Sequence, residues 1–206
     1  MDFPLKTQDE INCFFDLYKG CEFIKFDWKT ISSGAHMDRI KYYHFFQERI
    51  GRNTGHITSL FIRAEKIMLQ MQRKLNIDRT KRISPDIYKG TNWFSITHDL
   101  ALYVVSRSRE IKKWFRWSLC ADELFLHTLV MASPYKENIV DDDLREIDWN
   151  RGEPYIFTEE DFDLLVNSKD LFARKFSCKN NPKIVLQLEE YLRNTRRDIE
   201  SIEAKM

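Results

Sequence analysis

The adjacent carboxylates Asp122 and Glu123 lie in the stretch CADELFLHTL, Cys120 to Leu129, at the mouth of an otherwise apolar run. A carboxylate in that setting is a candidate general base, since it can take a proton from a hydroxyl held within about 2.6–3.2 Å. The same pair also suits an ordinary helix start, where acids complement the helix dipole by about 0.3–1 kcal/mol. The residues alone leave both readings open. His127 follows Glu123 by one helical turn and shares its face, where packing or orienting its neighbours is the expected role. A second cluster, Arg73, Lys74, Arg79, Lys81 and Arg82, reads as a solvated helix end and loop, because cations favour helix C-termini.

Other chemistries lack their residues. The four cysteines, Cys13, Cys21, Cys120 and Cys178, form no Cys-x-x-Cys pair and have no histidine at zinc spacing. They are expected to be reduced and buried. No glycine-rich phosphate loop and no Gly-x-Ser-x-Gly elbow is present. The acidic run Asp141–Asp143 reads as solvated charge, so no metal is implied. The net charge of +1 over 206 residues makes no global case for nucleic acid or membrane attraction. Aromatic residues make up 14% of the chain, which suits either a phenylalanine-rich core or a stacking surface for flat ligands. No apolar run reaches the roughly 20 residues needed to span a bilayer.

The elements that must position these groups follow from capping and periodicity. Thr7 and Glu10 form a capping box for a helix whose apolar face is Ile11, Phe14, Phe15 and Leu17, with Gly20 as its C-cap. Cys21–Asp27 reads as a half-buried strand of alternating faces, and Asp38–Phe46 as a second, aromatic-rich strand. Ile57, Leu60, Phe61, Ala64, Ile67, Met68, Met71 and Leu75 recur at helical spacing and predict an amphipathic helix of about five turns. A short buried strand enters through Gly90, followed by a helix capped by Thr97 and another from near Asp122 to Met131. Thr158 with Asp161 caps a short helix, Leu171–Ser177 is extended, and a last helix runs from Pro182 to the end of the chain. Strands alternating with helices place the chain in the α/β or α+β class, and one domain over residues 1–206 is the economical division.

Five stretches together resemble one family. They are DFPLKT (Asp2–Thr7), KGTNWFSIT (Lys89–Thr97), ADELFLHTL (Ala121–Leu129), LREIDW (Leu144–Trp149) and LFARKF (Leu171–Phe176). Their order and spacing are similar to those of the core-2/I-branching β-1,6-N-acetylglucosaminyltransferases and the related peptide O-xylosyltransferases, with the bacterial type the nearest in outline. The resemblance implies an inverting, metal-independent glycosyltransferase of GT-A-like α/β fold that needs no cofactor. Its substrates would be a UDP-sugar, GlcNAc being the first expectation for the sugar, and a glycan or glycoprotein acceptor.

Carried over by position, the resemblance makes Glu123 the base, although Ala121 replaces the family's usual proline. Lys175 matches the lysine that binds the donor diphosphate. The family's second diphosphate cation has no clean match; Arg151 is offset from the expected place and Arg145 is the alternative. Trp149 and Trp93 match aromatic positions near the acceptor, and the stretch holding Asp38, Arg39 and Lys41 aligns loosely with acceptor contacts. Two rival readings remain, a non-catalytic glycan- or partner-binding remnant and a helical adaptor for acidic partners.

The resemblance starts at Asp2, in the middle of the family's catalytic domain, so the βαβ units that hold uridine are expected to be missing from this stretch. On that reading the chain is cytoplasmic, with a membrane-peripheral position left open, and its sheet edges are prone to association. The chain alone is expected to bind UDP weakly; isothermal titration showing tight binding would overturn this expectation.

Overall fold

The computed structural model describes residues 1–50, 56–83 and 85–203. The chain forms two compact units, one from Met1–Gly20 together with Leu144 onward, the other from Cys21–Asp143. The first unit opens with β1 (Asp2–Pro4) and α1 (Gln8–Leu17). The second runs through β2 (Glu22–Phe26), α2 (Trp28–Ser33), α3 (Asp38–Lys41), α4 (Gln47–Ile50), α5 (His56–Lys74), β3 (Gly90–Ser95), α6 (His98–Ser106) and α7 (Ser108–Phe115). After a 3-10 turn at Ala121–Glu123, it ends with α8 (Phe125–Met131) and β4 (Ile139–Val140). The chain then returns to the first unit for β5 (Arg145–Ile147), α9 (Phe162–Val166), β6 (Phe172–Arg174) and α10 (Pro182–Glu203). The class is therefore mixed α/β with two small sheets. The expected last three residues of the final helix, 204–206, lie outside the described residues, as does the side chain of Ile57.

In the first unit β6 is central. It pairs antiparallel with β1, Asp2 facing Arg174, and parallel with β5, Arg145 facing Phe172. One face carries Leu5, Ala173 and Phe176 into a core shared with Phe157, Leu165 and the α10 residues Ile184, Val185 and Leu188. The spacing of those last three is the inward stripe of an amphipathic helix. The Thr7–Glu10 capping box forms as expected: Thr7 N–H donates to Glu10 Oε2 at 2.7 Å and Thr7 Oγ1 accepts from Glu10 N–H at 3.3 Å. The helix it starts buries no residue, and Leu17 is exposed. The box made by Thr158 and Asp161 is also present, opening a 3-10 turn at Glu159–Asp161 that leads into α9.

In the second unit β2 is central, antiparallel to β3 and parallel to β4. A strand with a neighbour on each side is buried more than alternation predicts: Glu22, Phe23, Ile24 and Phe26 are buried and only Lys25 is exposed. Glu22 is tolerated inside because Thr97, the N-cap of α6, donates to it through its amide at 2.8 Å and its hydroxyl at 2.5 Å. Ile24, Phe26, Leu100, Leu126 and Val130 form one cluster and Ile40, Ile87, Phe115 and Leu124 another.

Four expectations are corrected. Asp38–Phe46 is no strand: Asp38–Lys41 is helical, and the extended residues after it join no sheet. Their backbone is satisfied instead by α5, where Gln72 accepts from Tyr43 N–H at 2.7 Å and donates to Tyr43 O at 2.9 Å, and Glu65 accepts from Phe46 N–H at 3.3 Å. Consequently α5 is a helix as predicted, yet it buries Glu65 and Gln72 while Leu60, Ile67, Met71 and Leu75 are exposed. The cysteines are free, but Cys13, Cys120 and Cys178 are exposed rather than buried, since α1 buries nothing and the other two sit in turns. Finally, Arg79 and Asp143 are not solvated charges, although Asp141 is exposed as expected. Arg79 is buried and donates to the carbonyls of Ile40, Tyr42 and Trp114, Asp143 is buried, and Asp141 accepts from Phe26 N–H and Trp28 Nε1–H at 2.7 and 2.6 Å.

Phe157 is fully buried between the Tyr155 and Phe176 rings. Phe157→Ala is expected to cost about 3–5 kcal/mol by leaving a cavity, read as a lower urea midpoint, whereas Leu17→Ala is expected to leave the midpoint within about 0.5 kcal/mol.

Candidate active site

Glu123 sits in the 3-10 turn before α8 with its side chain 29% exposed. One oxygen, Oε2, accepts from Arg39 Nη1 at 2.5 Å and lies 3.3 Å from Lys89 Nζ. The other oxygen, Oε1, takes no hydrogen bond from the described residues. The carboxylate is thus anchored on one side and available on the other. The turn is entered through Cys120 in a left-handed conformation, φ 49°. Asp122 accepts from Asn92 Nδ2 at 3.1 Å, tying the turn to β3.

Lys89 is the hub of this cluster. Its side chain is only 12% exposed, and its ammonium lies 3.0 Å from Asp27 Oδ2 as well as near Glu123. Partial burial pushes Asp27 up, but hydrogen bonds from Thr30 and Lys89 outweigh it and bring the group down to about 2. Asp27 therefore remains an anion under all ordinary conditions, capping α2 while it holds Lys89.

Gly90 explains how the pieces approach so closely. A Cβ there would lie 2.0 Å from Lys25 O and 2.2 Å from His127 Nε2, so no other residue fits. His127 is fully buried, and its Nε2 lies 3.1 Å from Lys25 O. A carbonyl can only accept, so Nε2 carries the proton; Nδ1 meets no hydrogen-bond partner among the described residues. Burial lowers this imidazole to about 4, the Lys25 carbonyl opposing the shift. His127 is thus a neutral packing group under the acidic turn, as expected from its position.

The remaining site expectations divide by unit. Glu123, Asp38, Lys41 and Trp93 lie in the second unit, and Lys175, Arg145, Arg151 and Trp149 in the first. Asp38 and Lys41 share α3 with Arg39. Asp38 is exposed with Arg73 Nη2 3.9 Å away, and Lys41 covers the Tyr42 ring at 5.7 Å. Trp93 is half-buried on β3, next to Asn92.

In the first unit Lys175 follows β6 and is fixed by its backbone, which donates to Tyr155 O and accepts from Phe157 N–H. No carboxylate among the described residues pairs with its ammonium. Arg174 ends β6 and pairs with Asp2, and Arg145 Nε lies 3.8 Å from the same carboxylate. Arg151 is engaged elsewhere: it pairs with Asp148 and, at 2.7 Å, with Asp161, stacks 4.1 Å from the centre of the Tyr155 ring, and is raised by these hydrogen bonds. Trp149 presents an indole 56% exposed in the turn between Asp148 and Asn150. Among the described residues no group of three or more His, Cys, Asp or Glu side chains could hold a metal ion.

Lys89 and Asp27 are the site residues that the sequence did not single out, while Arg39, named there within a loosely aligned acceptor stretch, lies on Glu123. Lys89 opens the KGTNWFSIT stretch and Asp27 ends β2, but nothing local says that both meet at Glu123. His127 offers a pH test. Its folded value lies below the ordinary 6.5, so the unfolded chain binds the proton more readily and stability falls as pH drops from 6.5 toward 4. His127→Gln keeps a donor for Lys25 O and removes the titration. The loss of stability between pH 7 and 4.5, followed by urea midpoints, is expected to be smaller in the variant by on the order of 3 kcal/mol.

Known proteins are similar to this chain over most of its length. The chain is 25% identical over 213 aligned positions to the protein named xylosyltransferase 1 of Mus musculus, covering 93% of this chain and 20% of the relative. The Homo sapiens protein of that name matches to the same extent, and xylosyltransferase 2 of Bos taurus is 30% identical over 125 positions, half of this chain and 14% of the relative. The chain spans about a fifth of the length of the first of these. The family model described as Core-2/I-Branching enzyme matches residues 1–165, and the chain belongs to that family.

Proposed function

We propose that this chain works in a glycosyltransferase that moves a sugar from a UDP-sugar to an acceptor hydroxyl with inversion, and that Glu123 is the base. The observation that carries the proposal is the asymmetry of the Glu123 carboxylate. Arg39 and Lys89 hold Oε2 in place, while Oε1 is left to receive the proton of an attacking hydroxyl. As that oxygen bonds to the anomeric carbon, the bond to the diphosphate breaks and negative charge grows on the leaving group. Lys175, which has no carboxylate partner among the described residues, is the candidate to neutralise it, with Arg145 as a second cation. Arg151 already carries two carboxylates, which argues for a supporting role instead.

A lysine and an arginine in these roles leave a divalent metal without a necessary task, in keeping with a metal-independent reaction. Trp149 and Trp93 supply flat faces for sugar rings, and Asp38 and Lys41 polar groups near Glu123's partner Arg39. The named relatives are xylosyltransferases, which sets UDP-xylose beside UDP-GlcNAc as donor.

Glu123→Gln keeps the shape and removes the base. It is expected to lower transfer from either donor by about 10²–10⁴-fold while the folded circular dichroism spectrum is kept and the unfolding midpoint falls with the loss of the Lys89 and Arg39 partner, and retained turnover would remove Glu123 from the role. In the same protein Lys175→Ala is expected to raise the Kd for UDP; an unchanged value would remove that assignment.

A further inference from the structure

The long helix α5 is turned inside out. Its buried side chains include the polar Glu65 and Gln72, while Leu60 is 66% exposed, Ile67 57%, Met71 56% and Leu75 69%. Steps of seven, four and four residues keep these four on one stripe of a 3.6-residue helix. Arg63 and Lys74 border the stripe on one side, Lys66 lies further round on that side, and the exposed Lys81 and Arg82 follow the helix end, while Arg73 turns to Asp38, 3.9 Å away, and to the Tyr42 ring. The carboxylates of the same segment face elsewhere: Glu65 is buried against His44 and Asp78 accepts from Thr80. A chain with a net charge of only +1 has therefore gathered a row of cations beside an apolar stripe.

We propose that α5 docks the protein on the surface of an anionic lipid bilayer. Charge complementarity selects this occupant. A second copy presenting the same face would set cations against cations. A purely charged polyanion would cover the row and leave the stripe in water. The bilayer surface takes both, since the acyl boundary accepts Leu, Ile and Met to a depth of about 5–10 Å while anionic headgroups meet the Lys and Arg side chains. No helix among the described residues is long and apolar enough to cross a membrane, so the contact is interfacial.

Sedimentation of the full chain with vesicles tests this. Binding is expected with phosphatidylcholine mixed with phosphatidylglycerol, not with phosphatidylcholine alone, and is expected to weaken with salt. Leu60→Gln, Ile67→Gln and Met71→Gln combined should lower partitioning at least about tenfold with an unchanged circular dichroism spectrum, and Arg63→Glu with Lys66→Glu should do the same. The proposal fails if mixed vesicles are not bound, or if the apolar variant binds them as well as the parent. It fails equally if the stripe proves to hold a second copy, seen in analytical ultracentrifugation as a dimer that the apolar variant converts to monomer. Polyglutamate bound more tightly than mixed vesicles, with the same dependence on the stripe, would assign the face to an acidic protein and overturn the lipid.

Discussion

A nearly buried ammonium can persist only among anions, and Lys89 has one on each side, Asp27 at 3.0 Å and Glu123 at 3.3 Å. Removing either carboxylate would leave the charge under-compensated in a poorly solvated place, which is far more costly than losing an exposed pair. The end of β2, the start of β3 and the acidic turn before α8 are thereby held to one geometry. Gly90 and His127 belong to the same constraint. The missing Cβ lets the imidazole lie against the β2 backbone, and burial keeps that imidazole neutral, so it adds no further positive charge to Lys89 and Arg39 around the two acids.

The first unit distributes its charges differently. Asp2 serves Arg174 and Arg145, and Asp148 with Asp161 serves Arg151, so its planar guanidinium groups are used to brace the chain. The lysine of the LFARKF stretch is held by its backbone alone, and its head group carries no internal partner among the described residues. A flexible ammonium on a fixed stem can follow a phosphate group, whereas a guanidinium locked by two acids cannot.

Both capping boxes were legible because each is written within four residues, Thr7 to Glu10 and Thr158 to Asp161. The helix at 56–74 was legible from its period, and Glu123 and Lys175 were reached by position within ordered motifs. What escaped depends on partners far along the chain. Nothing near Lys89 names Asp27 or Glu123, and nothing near Tyr43 announces that its backbone will be met by Gln72 instead of a neighbouring strand. The aromatic run Tyr42–Phe46 has strand propensity without a strand to pair with, so propensity and outcome part there. The inward face of α5 was misassigned for the same reason, since hydrogen bonds to that run, and not apolar area, chose which side turned in. Among the helices for which no prediction was made, Trp28–Ser33 is short and polar with little periodic signal, whereas Ser108–Phe115 does set Ile111, Trp114 and Phe115 at helical spacing, a signal that went unread among its charges.

Substitution tolerance along α5 should accordingly run opposite to that of an ordinary amphipathic helix. Exchanging Gln72 or Glu65 for leucine would improve the helix's apparent hydrophobic pattern while stripping the amides of Tyr43 and Phe46 of their acceptors. Exchanging Leu60 or Leu75 for glutamine would spoil the pattern and leave the fold intact. A sequence profile judged by hydrophobicity alone would favour the changes this helix cannot accept.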